Sequence, residues 1–388
     1  MTQSFDFAVV GLGAMGSASL YQLAKRGVRV VGIDRFEPPH NQGSSHGETR
    51  ITRRGIGEGE AYVPLAMRSH ELWREIEAET GAALLHEIGS LIIAKPGDMV
   101  ERPGRTAFID RSIKAAQRYG IDHEVLSADE IRSRHPHFTP QDNEIGYFEP
   151  GGGYLNVEGC VGANLDLAVR HGAVTMLGAE VLSIVPEGDG VRITTTTDTI
   201  LAGQVAVSAG AWAGQLLGEP FSSILKPTRQ VMHWYQIDPA LAQAWAGSPV
   251  FMWPHGEDGD GFFYGFPSLD GATFKTADEF YGAASDPNAI DRVVPPADSA
   301  RMHAAHLAGR LANIVPRAVR TATCIYTATA DSAFLIDRHP AHANILVVSP
   351  CSGHGFKHSA AIGEAVAQVL VDGQSKVDLS AFAIGRLL

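Results

Sequence analysis

Gly11-Leu12-Gly13-Ala14-Met15-Gly16 stands between an apolar run, residues 5–10, and a stretch with helical character, residues 17–25. A second apolar run at residues 28–33 ends in Asp34. This is a G-x-G-x-x-G fingerprint in its strand, turn, helix and strand context, with an acid about 20 residues further on. The glycines let the backbone approach a pyrophosphate at a helix N-terminus, and the carboxylate can accept hydrogen bonds from ribose hydroxyls. The sequence therefore predicts a dinucleotide site, for FAD or NAD, and hence a redox enzyme.

The composition limits the class of protein. The chain has 388 residues, which is enough for two domains and a large core. Its formal net charge of −12 argues against a nucleic-acid partner, because phosphate binding needs clustered Lys and Arg. No apolar segment reaches the ~20 residues needed to span a bilayer. Three cysteines are too few for a disulfide framework, so a cytoplasmic protein without a membrane or nucleic-acid partner is expected.

Apolar periodicity divides the rest of the chain into helices, strands and loops. Residues 38–54, rich in Gly, His, Ser and Arg, are predicted to be a loop. Helices are predicted at residues 64–80, 107–120, 157–171 and 359–371, with a further start at Ser127. Strands are predicted at residues 90–94, 179–185, 191–196, 200–208 and 344–350, with several more between 229 and 280.

These patterns predict an α/β fold with two domains. The first is a Rossmann-like nucleotide-binding domain with a parallel sheet, assembled from residues 1–85, 145–217 and 319–388. The second is a substrate domain of the α+β type on a mostly antiparallel sheet, from residues 86–144 and 218–318. The nucleotide-binding domain is therefore expected to be discontinuous, built from both ends of the chain and a middle segment.

Three further segments are distinctive: Gly43-Ser44-Ser45-His46-Gly47-Glu48-Thr49-Arg50-Ile51-Thr52-Arg53, Cys324-Ile325-Tyr326-Thr327-Ala328-Thr329-Ala330-Asp331 and Ser352-Gly353-His354-Gly355-Phe356-Lys357. With the fingerprint, they make the chain resemble the monomeric sarcosine oxidase and N-methyltryptophan oxidase family over essentially its full length. That family consists of flavin-dependent secondary-amine oxidases within the D-amino-acid-oxidase-like group. The resemblance implies FAD in the Rossmann-like domain, an N-methyl or cyclic amino acid oxidised to an imine, and hydrogen peroxide made from O2. It also implies a monomer.

The resemblance further implies that FAD is attached covalently, through a cysteine thioether to the 8α-methyl group of the isoalloxazine ring. Cys324 stands at the matching position. A lone cysteine is otherwise an ordinary small buried side chain. That ordinary interpretation is kept for Cys160 and Cys351.

Two cations match the family positions that bind the substrate carboxylate, Arg53 and Lys357. Arginine offers a planar fork for a carboxylate, and lysine adds a compact charge. The alternative is a pair of ordinary surface cations. Lys275 resembles the family's oxygen-activating lysine, where a fixed cation stabilises the negative charge that develops on oxygen. A lysine on a predicted strand is otherwise usually solvated.

The resemblance assigns the remaining site residues. His46 and Arg50 match residues that lie against the flavin, and Tyr264 and Tyr326 match tyrosines of the substrate cavity. The tyrosines could equally be ordinary core residues. The expected cofactor contacts are Gly11, Gly13, Ala14, Met15, Gly16, Asp34, Arg35, Ser44, Ser45, Arg50, Val181, Gly210, Cys324, Gly353, His354, Gly355 and Lys357. No metal site is predicted.

The chain departs from the family pattern at two places. Relatives usually carry a histidine four residues after the oxygen-activating lysine, where this chain has Glu279, preceded by Asp278. A carboxylate there would favour a cationic group on the substrate, unless the loop is displaced into solvent. Relatives also tend to have two adjacent histidines where this chain has Ser45 and His46. Both departures argue against transferring sarcosine or N-methyltryptophan directly as the substrate.

Other functions stay open. The same fold could serve a flavin-dependent amine dehydrogenase that passes electrons to an acceptor other than O2. It could also serve a non-catalytic flavoprotein subunit, although the intact set of Arg53, Lys357 and Cys324 argues against that. The fingerprint alone would also suit a nicotinamide dehydrogenase, in which the Gly-His-Gly segment near the end of the chain has no obvious role.

Overall fold

The computed structural model describes residues 3–97, 107–256, 261–279, 282 and 285–388. Within these residues, nineteen strands β1 to β19 run in chain order as Gln3–Val10, Val30–Ile33, Thr49–Thr52, Leu85–Glu87, Ser90–Ala94, Glu124–Ser127, Ile145–Glu149, Gly153–Asn156, Val174–Met176, Val181–Glu187, Gly190–Thr195, Thr199–Val207, Lys226–Gln236, Val250–His255, Gly261–Gly265, Thr273–Asp278, Ala318–Ala328, Leu335–His339 and His342–Ser349.

Ten α-helices occur in the same described ranges. They are, from α1 to α10, Ala14–Ala24, Val63–Thr80, Phe108–Tyr119, Ala128–Arg134, Val157–Arg170, Ala213–Leu217, Phe221–Ile224, Ala242–Ala246, Pro296–Met302 and Ser359–Val371. The predicted helix start at Ser127 is confirmed by a capping box. Its Oγ accepts from the amide of Glu130 at 3.3 Å, and its own amide donates to the Glu130 carboxylate at 2.7 Å.

The first sheet has eight strands and carries the fingerprint. Its central strand β1 pairs in parallel with β2 and β12, so that Val10 lies opposite both Ile33 and Val207. The first residues of β12 pair with antiparallel β11, and its last residues pair with parallel β19. The carboxyl ends of β1, β2 and β12 therefore meet at one edge. The predicted parallel arrangement, built from both ends of the chain and a middle segment, is confirmed for β9, β2, β1, β12 and β19. The same sheet also contains antiparallel pairs, namely β10 with β11, β11 with β12 and β18 with β19.

The second sheet has eight strands in the order β17-β13-β16-β15-β14-β5-β7-β6. Every neighbouring pair is antiparallel except β14 with β5, as the predicted mostly antiparallel sheet requires. Four predicted site residues lie on it: Tyr264 on β15, Lys275 on β16, and Cys324 with Tyr326 on β17. This sheet therefore contributes one wall of the site.

A small third sheet corrects one prediction. Residues 38–54 were expected to be loop throughout, but β3 lies within them and pairs with β8, which in turn pairs with β4. Four residues between glycine- and serine-rich segments have too little alternation to indicate a strand, and their partner is about 100 residues away in the chain. β3 ends just before Arg53, so this sheet sets the position of that side chain.

The predicted domain ranges cut across the sheets at two points. β7 and β17 belong to the antiparallel sheet, although residues 145–149 and most of 318–328 fall in ranges predicted for the nucleotide-binding domain. The division of the chain into two domains stays a prediction. Across the described ranges, no helix combines the length and the apolar character needed to cross a membrane.

Candidate active site

One cavity brings together most of the predicted site residues. It extends from the carboxyl edge of the first sheet to β14, β15 and the residue after β16. The predicted residues in its lining are Gly11, Gly13, Ala14, Met15, Asp34, Arg35, Ser44, Ser45, Arg50, Arg53, Val181, Gly210, Tyr264, Tyr326, Gly353, His354, Gly355 and Lys357. Four predicted residues do not line it, namely Gly16, His46, Lys275 and Cys324.

The fingerprint turn is so closely packed that two of its glycines have no room for a side chain. A Cβ atom on Gly16 would lie 1.7 Å from the carbonyl oxygen of Gly11. Gly11 has a φ of 86°, and its Cβ would lie 2.6 Å from the carbonyl oxygen of Ser208. The start of α1 thereby lies against β1 and the end of β12, in the cavity lining. Since a helix N-terminus binds anions, this backbone fits the pyrophosphate of a dinucleotide.

Asp34 is oriented by two backbone amides. Its Oδ2 accepts from the amide of Leu12 at 2.6 Å, and its Oδ1 accepts from the amide of Phe36 at 2.7 Å. Each carboxylate oxygen keeps a second lone pair, so the group is held in place and still available to ribose hydroxyls. His40, which sequence reasoning did not select, has its Nε2 3.7 Å from the same carboxylate. These residues fit the adenosine end of FAD.

The segment from Ser44 to Arg50 connects the fingerprint to β3. Oγ of Ser45 accepts from the amide of Ala14 at 3.1 Å. The guanidinium of Arg50 donates to the carbonyl oxygens of Ser44 at 2.7 Å and Thr49 at 2.8 Å. Arg50 is therefore held by its own segment while it lines the cavity.

His46 is buried in the same segment but does not line the cavity. Its Nε2 has no hydrogen-bond partner within the described ranges. Burial, with a smaller contribution from the charge of Arg50, lowers the pKa of His46 to about 4. The imidazole is therefore neutral at pH 7 and does not supply positive charge to the site.

Lys275 is also buried outside the lining. Its Nζ donates to the carbonyl oxygen of Gly47 at 2.6 Å and to that of Thr49 at 2.7 Å, and contacts Oγ1 of Thr49 at 2.7 Å. Burial lowers the pKa of Lys275, and the charge of Arg50 lowers it further. The alternative of a solvated strand lysine is excluded, because the side chain holds β3 and the preceding turn against the antiparallel sheet.

The structure places Cys324 and Cys351 differently with respect to the cavity. Cys324 is buried and does not line the cavity, whereas Cys351, expected to be an ordinary buried cysteine, is half-buried and does. Sγ of Cys351 accepts from the amide of Thr327 at 3.3 Å. Both thiols contact one apolar cluster that also contains Met232 and Tyr326, and burial raises the pKa of both. Sequence patterns identify the position of a cysteine but not the direction of its side chain.

Arg53 and Lys357 meet at a carboxylate that sequence reasoning missed. The Arg53 guanidinium, only 1% exposed, donates to Oε2 of Glu58 at 2.6 Å and to the carbonyl oxygen of Gly55. Nζ of Lys357 lies 3.5 Å from Oε1 of Glu58 and donates to the carbonyl oxygen of His354 at 2.8 Å. All three charged side chains line the cavity, which excludes the alternative of two surface cations.

The turn after Arg53 is held by Glu149 at the end of β7. The Glu149 carboxylate, fully buried, accepts from the amides of Arg54 at 2.8 Å and Gly55 at 2.9 Å. It also accepts from the hydroxyl of Tyr147 at 2.9 Å. Arg53 donates to the carbonyl oxygen of Gly55, and the amide of the same residue is bound by Glu149 of the antiparallel sheet. The antiparallel sheet therefore helps to position the Arg53 guanidinium.

Two tyrosines and an acid line the cavity near the Gly-His-Gly segment. The hydroxyls of Tyr264 and Tyr326 lie 3.4 Å apart. Oε1 of Glu279 lies 3.4 Å from the position that a Cβ on Gly353 would take. Burial, with a smaller contribution from the charge of Glu279, raises the pKa of Tyr264 to about 12 and also raises that of Tyr326. The alternative of a solvent-displaced Glu279 is therefore excluded.

The lining residues that sequence reasoning did not select as site residues include Glu58, Met252, Phe262, Cys351 and Phe356. Some had a signal. Phe262 precedes Tyr264 by two positions on a strand, so both side chains share a face, and Phe356 adjoins Lys357. Met252 had none, because it reaches the site only by pairing with Tyr264 across β14 and β15.

Known proteins resemble the chain over nearly its whole length. The family described as FAD dependent oxidoreductase matches residues 6–369. The chain is 38% identical to a monomeric sarcosine oxidase of Bacillus sp. (strain B-0618), across 100% of this chain and 97% of that protein. It is 33% identical to an N-methyl-L-tryptophan oxidase of Yersinia pestis (strain Pestoides F), across 98% and 99%. The structure of NikD, an unusual amino acid oxidase essential for nikkomycin biosynthesis, matches with a TM-score of 0.82 at 25% identity, across 98% of each chain.

Proposed function

Because the chain belongs to the FAD-dependent oxidoreductase family, we propose that it is a flavoprotein oxidase of secondary amino acids. An N-methyl or cyclic amino acid is oxidised to an imine, which water hydrolyses, and O2 is reduced to hydrogen peroxide. The observation that carries the proposal is the buried pair of Arg53 and Lys357 in the same cavity as the fingerprint. The names of the sarcosine and N-methyl-L-tryptophan oxidases support this substrate class.

Arg53 and Lys357 bind the substrate carboxylate in this proposal. The guanidinium offers two parallel N–H donors, and the ammonium adds a third. Both cations contact Glu58. When a substrate carboxylate binds, it replaces Glu58 as the partner of at least one of them. A hydrogen bond between charged partners contributes about 1.5–3 kcal/mol, so exchanging one carboxylate for another is close to neutral. Glu58 thus keeps the cations paired between turnovers.

Tyr264 and Tyr326 orient the substrate as hydrogen-bond donors. Burial raises the pKa of both hydroxyls, so both stay protonated at physiological pH and neither acts as a base. FAD bound in the cavity would supply the acceptor for a hydride from the carbon beside the amine nitrogen and the route by which those electrons reach O2. The apolar side chains of Met252 and Phe262 exclude water from the same part of the cavity.

Covalent attachment through Cys324 is part of the proposal. Cys324 precedes the lining residue Tyr326 by two positions on β17, so the two side chains share a face of the strand. The S–C bond of the thioether would replace the S–H bond of the thiol and one C–H bond of the 8α-methyl group, and the two electrons and two protons released would go to O2, the oxidant of the proposed reaction. Cys351, which lines the cavity, is the competing attachment point.

We also propose that the protein works as a cytoplasmic monomer whose partners are a small amine and O2. The name of the Bacillus relative, a monomeric sarcosine oxidase, supports the monomer. The small number of cysteines supports a reducing compartment. Light scattering of the eluting protein during size-exclusion chromatography tests the oligomeric state, because a dimer would elute at twice the mass of 41.4 kDa.

One observation favours a second function. Nζ of Lys275 contacts three oxygen atoms of β3 and the preceding turn and does not line the cavity, so no lysine of the described lining other than Lys357 faces the site. A dehydrogenase that passes electrons to an acceptor other than O2 would not need Lys275 for oxygen. In that case the substrate chemistry is the same but no peroxide forms.

The experiment is peroxide release from the purified yellow protein across sarcosine, larger N-methyl amino acids, proline and pipecolate. Peroxide in proportion to substrate supports the oxidase. Bleaching of the flavin absorbance by an amine without peroxide supports the dehydrogenase. No bleaching by any amine of the panel contradicts the proposed substrate class.

A further inference from the structure

We infer that Glu158, in the first turn of α5, is a positioning residue that holds Lys275 in place as an ammonium group. The inference rests on the proposed function, because it concerns the step in which that same oxidase reduces O2. It begins at Gly47, which contacts both side chains. The amide of Gly47 donates to Oε1 of Glu158 at 2.7 Å, and its carbonyl oxygen accepts from Nζ of Lys275 at 2.6 Å. A single residue of the turn before β3 therefore connects the acid to the lysine.

The start of α5 holds this turn by its backbone and by Glu158. The carboxylate accepts from two successive amides, that of Gly47 and, at 3.1 Å, that of Glu48. The amide of Val157 donates to the carbonyl oxygen of Glu48 at 3.0 Å. Glu48 has a φ of 72°, which is unfavourable for a residue with a Cβ atom. Such a conformation persists only where its surroundings hold it, so the turn depends on these contacts.

Lys275 binds the same turn from the antiparallel sheet. Besides the carbonyl oxygen of Gly47, that of Thr49 accepts from its Nζ at 2.7 Å. The side chain is buried, and Nζ lies 4.3 Å from the ring centroid of Phe266. The ammonium group thus has hydrogen-bond acceptors on the turn and an aromatic ring beside it. Loss of the Glu158 contacts would move those acceptors, because Glu158 and Lys275 bind the same peptide segment.

Charge links the two side chains as well as geometry. The titratable and charged groups around Lys275 are His46, Glu48 and Arg50 of the segment that ends at Arg50, Glu158 of α5 and Cys324 of β17. Burial lowers the pKa of Lys275, and the charge of Arg50 lowers it further. The charges of Glu48 and Glu158 raise the same pKa. These two acids therefore favour the ammonium form in a buried place that favours the neutral amine.

The two acids are not equivalent. The Glu48 carboxylate pairs with Arg320 and accepts from the indole of Trp234 at 3.3 Å, so a cation lies beside its charge. The Glu158 carboxylate binds two neutral amides of the turn that Lys275 also binds. Glu158 therefore fixes the position of Lys275 and favours its charged form. Only the charged form stabilises the negative charge that develops on O2.

The test follows Lys275 directly and through the flavin of the purified yellow protein. The chain has seven lysines, so 13C NMR of protein labelled at the lysine ε-carbon identifies the Lys275 signal as the one absent from Lys275→Met. Stopped-flow absorbance measures reoxidation by O2 of flavin reduced with light, across the neutral and alkaline range. In Glu158→Gln, the titration of Lys275 and the pH above which reoxidation slows should both move down by about one pH unit. Anaerobic reduction of the flavin by an amine should change much less.

Asp166→Asn is the matched control, because it removes one negative charge from an exposed position of the same helix, and it should leave both curves unchanged. Glu158→Asp keeps the charge and should restore most of the shift. Flavin absorbance and thermal unfolding confirm that each variant is folded. Unchanged curves in Glu158→Gln, or an equally large shift in Glu158→Asp, overturn the inference and leave the proposed function intact. Absence of peroxide with every amine, while Glu158→Gln still shifts the titration of Lys275, counts against the oxidase and supports the link between the two residues.

Discussion

The Arg53 guanidinium and the Glu58 carboxylate lie 2.6 Å apart, with side chains 1% and 5% exposed. Lys357 approaches the same carboxylate from its other oxygen. The protein therefore carries within its own chain a carboxylate that occupies the groups proposed to bind the carboxylate of the substrate.

Glu58→Gln should strengthen binding of carboxylate ligands and weaken the free protein. Removing the anion leaves two buried cations without their partner, which typically costs about 3–5 kcal/mol. A carboxylate ligand then restores the pairing, so acetate or an N-methyl amino acid should raise the Tm of the variant more than that of the unaltered protein. Glu60→Gln is the control, since Glu60 is exposed and pairs with Arg118. Equal ligand-induced shifts in all three proteins would contradict the competition.

Glu149→Gln should raise KM more than it lowers kcat. The amide group of glutamine has one acceptor where the carboxylate has two, so at least one of the buried donors at Arg54, Gly55 and Tyr147 loses its partner. The turn that orients Arg53 is then less firmly held. Glu144→Gln is the control, because Glu144 is a buried acid outside the cavity lining. Its carboxylate accepts a hydrogen bond from the indole of Trp253 at 2.8 Å. If both variants lose stability and neither changes KM, Glu149 has only a structural role.

Lys275→Met should slow reoxidation of the flavin by O2 by about 100-fold or more, while anaerobic bleaching by the amine changes much less. The reason is the loss of a fixed positive charge close to the segment that joins the fingerprint to β3. Lys114→Met, at an exposed position of α3, should change neither half-reaction. Stopped-flow absorbance measures the two separately. An equal loss of rate in both half-reactions would contradict an oxygen-activating role. It would favour a structural role in which Lys275 holds β3 by hydrogen bonds.

Cys324→Ala should make the flavin extractable by acid, whereas Cys351→Ala and Cys160→Ala should leave it in the denatured pellet. The reason is that only a thioether survives unfolding of the chain. A yellow pellet from Cys324→Ala would rule out attachment there, and loss of pellet colour in Cys351→Ala would transfer the attachment to the cysteine of the lining.

Stability should fall as the pH drops from about 6.5 towards 4. Burial lowers the pKa of His46 and His233 to about 4 and of His70 and His137 to about 3. The unfolded chain therefore binds protons before the folded one, and each such histidine removes about 1.4 kcal/mol per pH unit in that window. Thermal unfolding between pH 7 and pH 5 measures the slope. His137→Gln should flatten it, and a variant of the exposed His342 should not.

Long elements with regular apolar spacing could be predicted from the sequence alone. The helix predicted at residues 359–371 has those same ends, and the helix predicted at 157–171 ends one residue earlier, at Arg170. β3 could not be predicted, because four residues are stabilised as a strand only by pairing with β8. A local sequence pattern therefore predicts an element when the element's own apolar spacing shows which face packs on the core. It does not predict a strand that is stabilised only by pairing with a distant segment.

The sequence predicts which residues of the site are brought to the cavity by a backbone motif. It predicts much less well which side chains meet there. Gly11 and Gly13 of the fingerprint line one cavity together with Asp34, Arg53 and Lys357, as their motifs indicate. Glu58 was missed because its significance depends on residues 53, 58 and 357 meeting in space. Likewise, no pattern distinguishes a cysteine that lines the cavity, as Cys351 does, from one that does not, as is the case for Cys324.

The pairing of β12 with β19 has a consequence for the folding of the protein during its synthesis. The fingerprint leaves the ribosome early, but the cavity also needs β19 and the segment up to Lys357, which emerge near the end of translation. At ~5–20 residues per second, the interval is on the order of tens of seconds. During that time the nascent chain exposes an unfinished sheet edge, so capture of the cofactor is a late event, and chaperones that cover strand edges have a defined period in which to act.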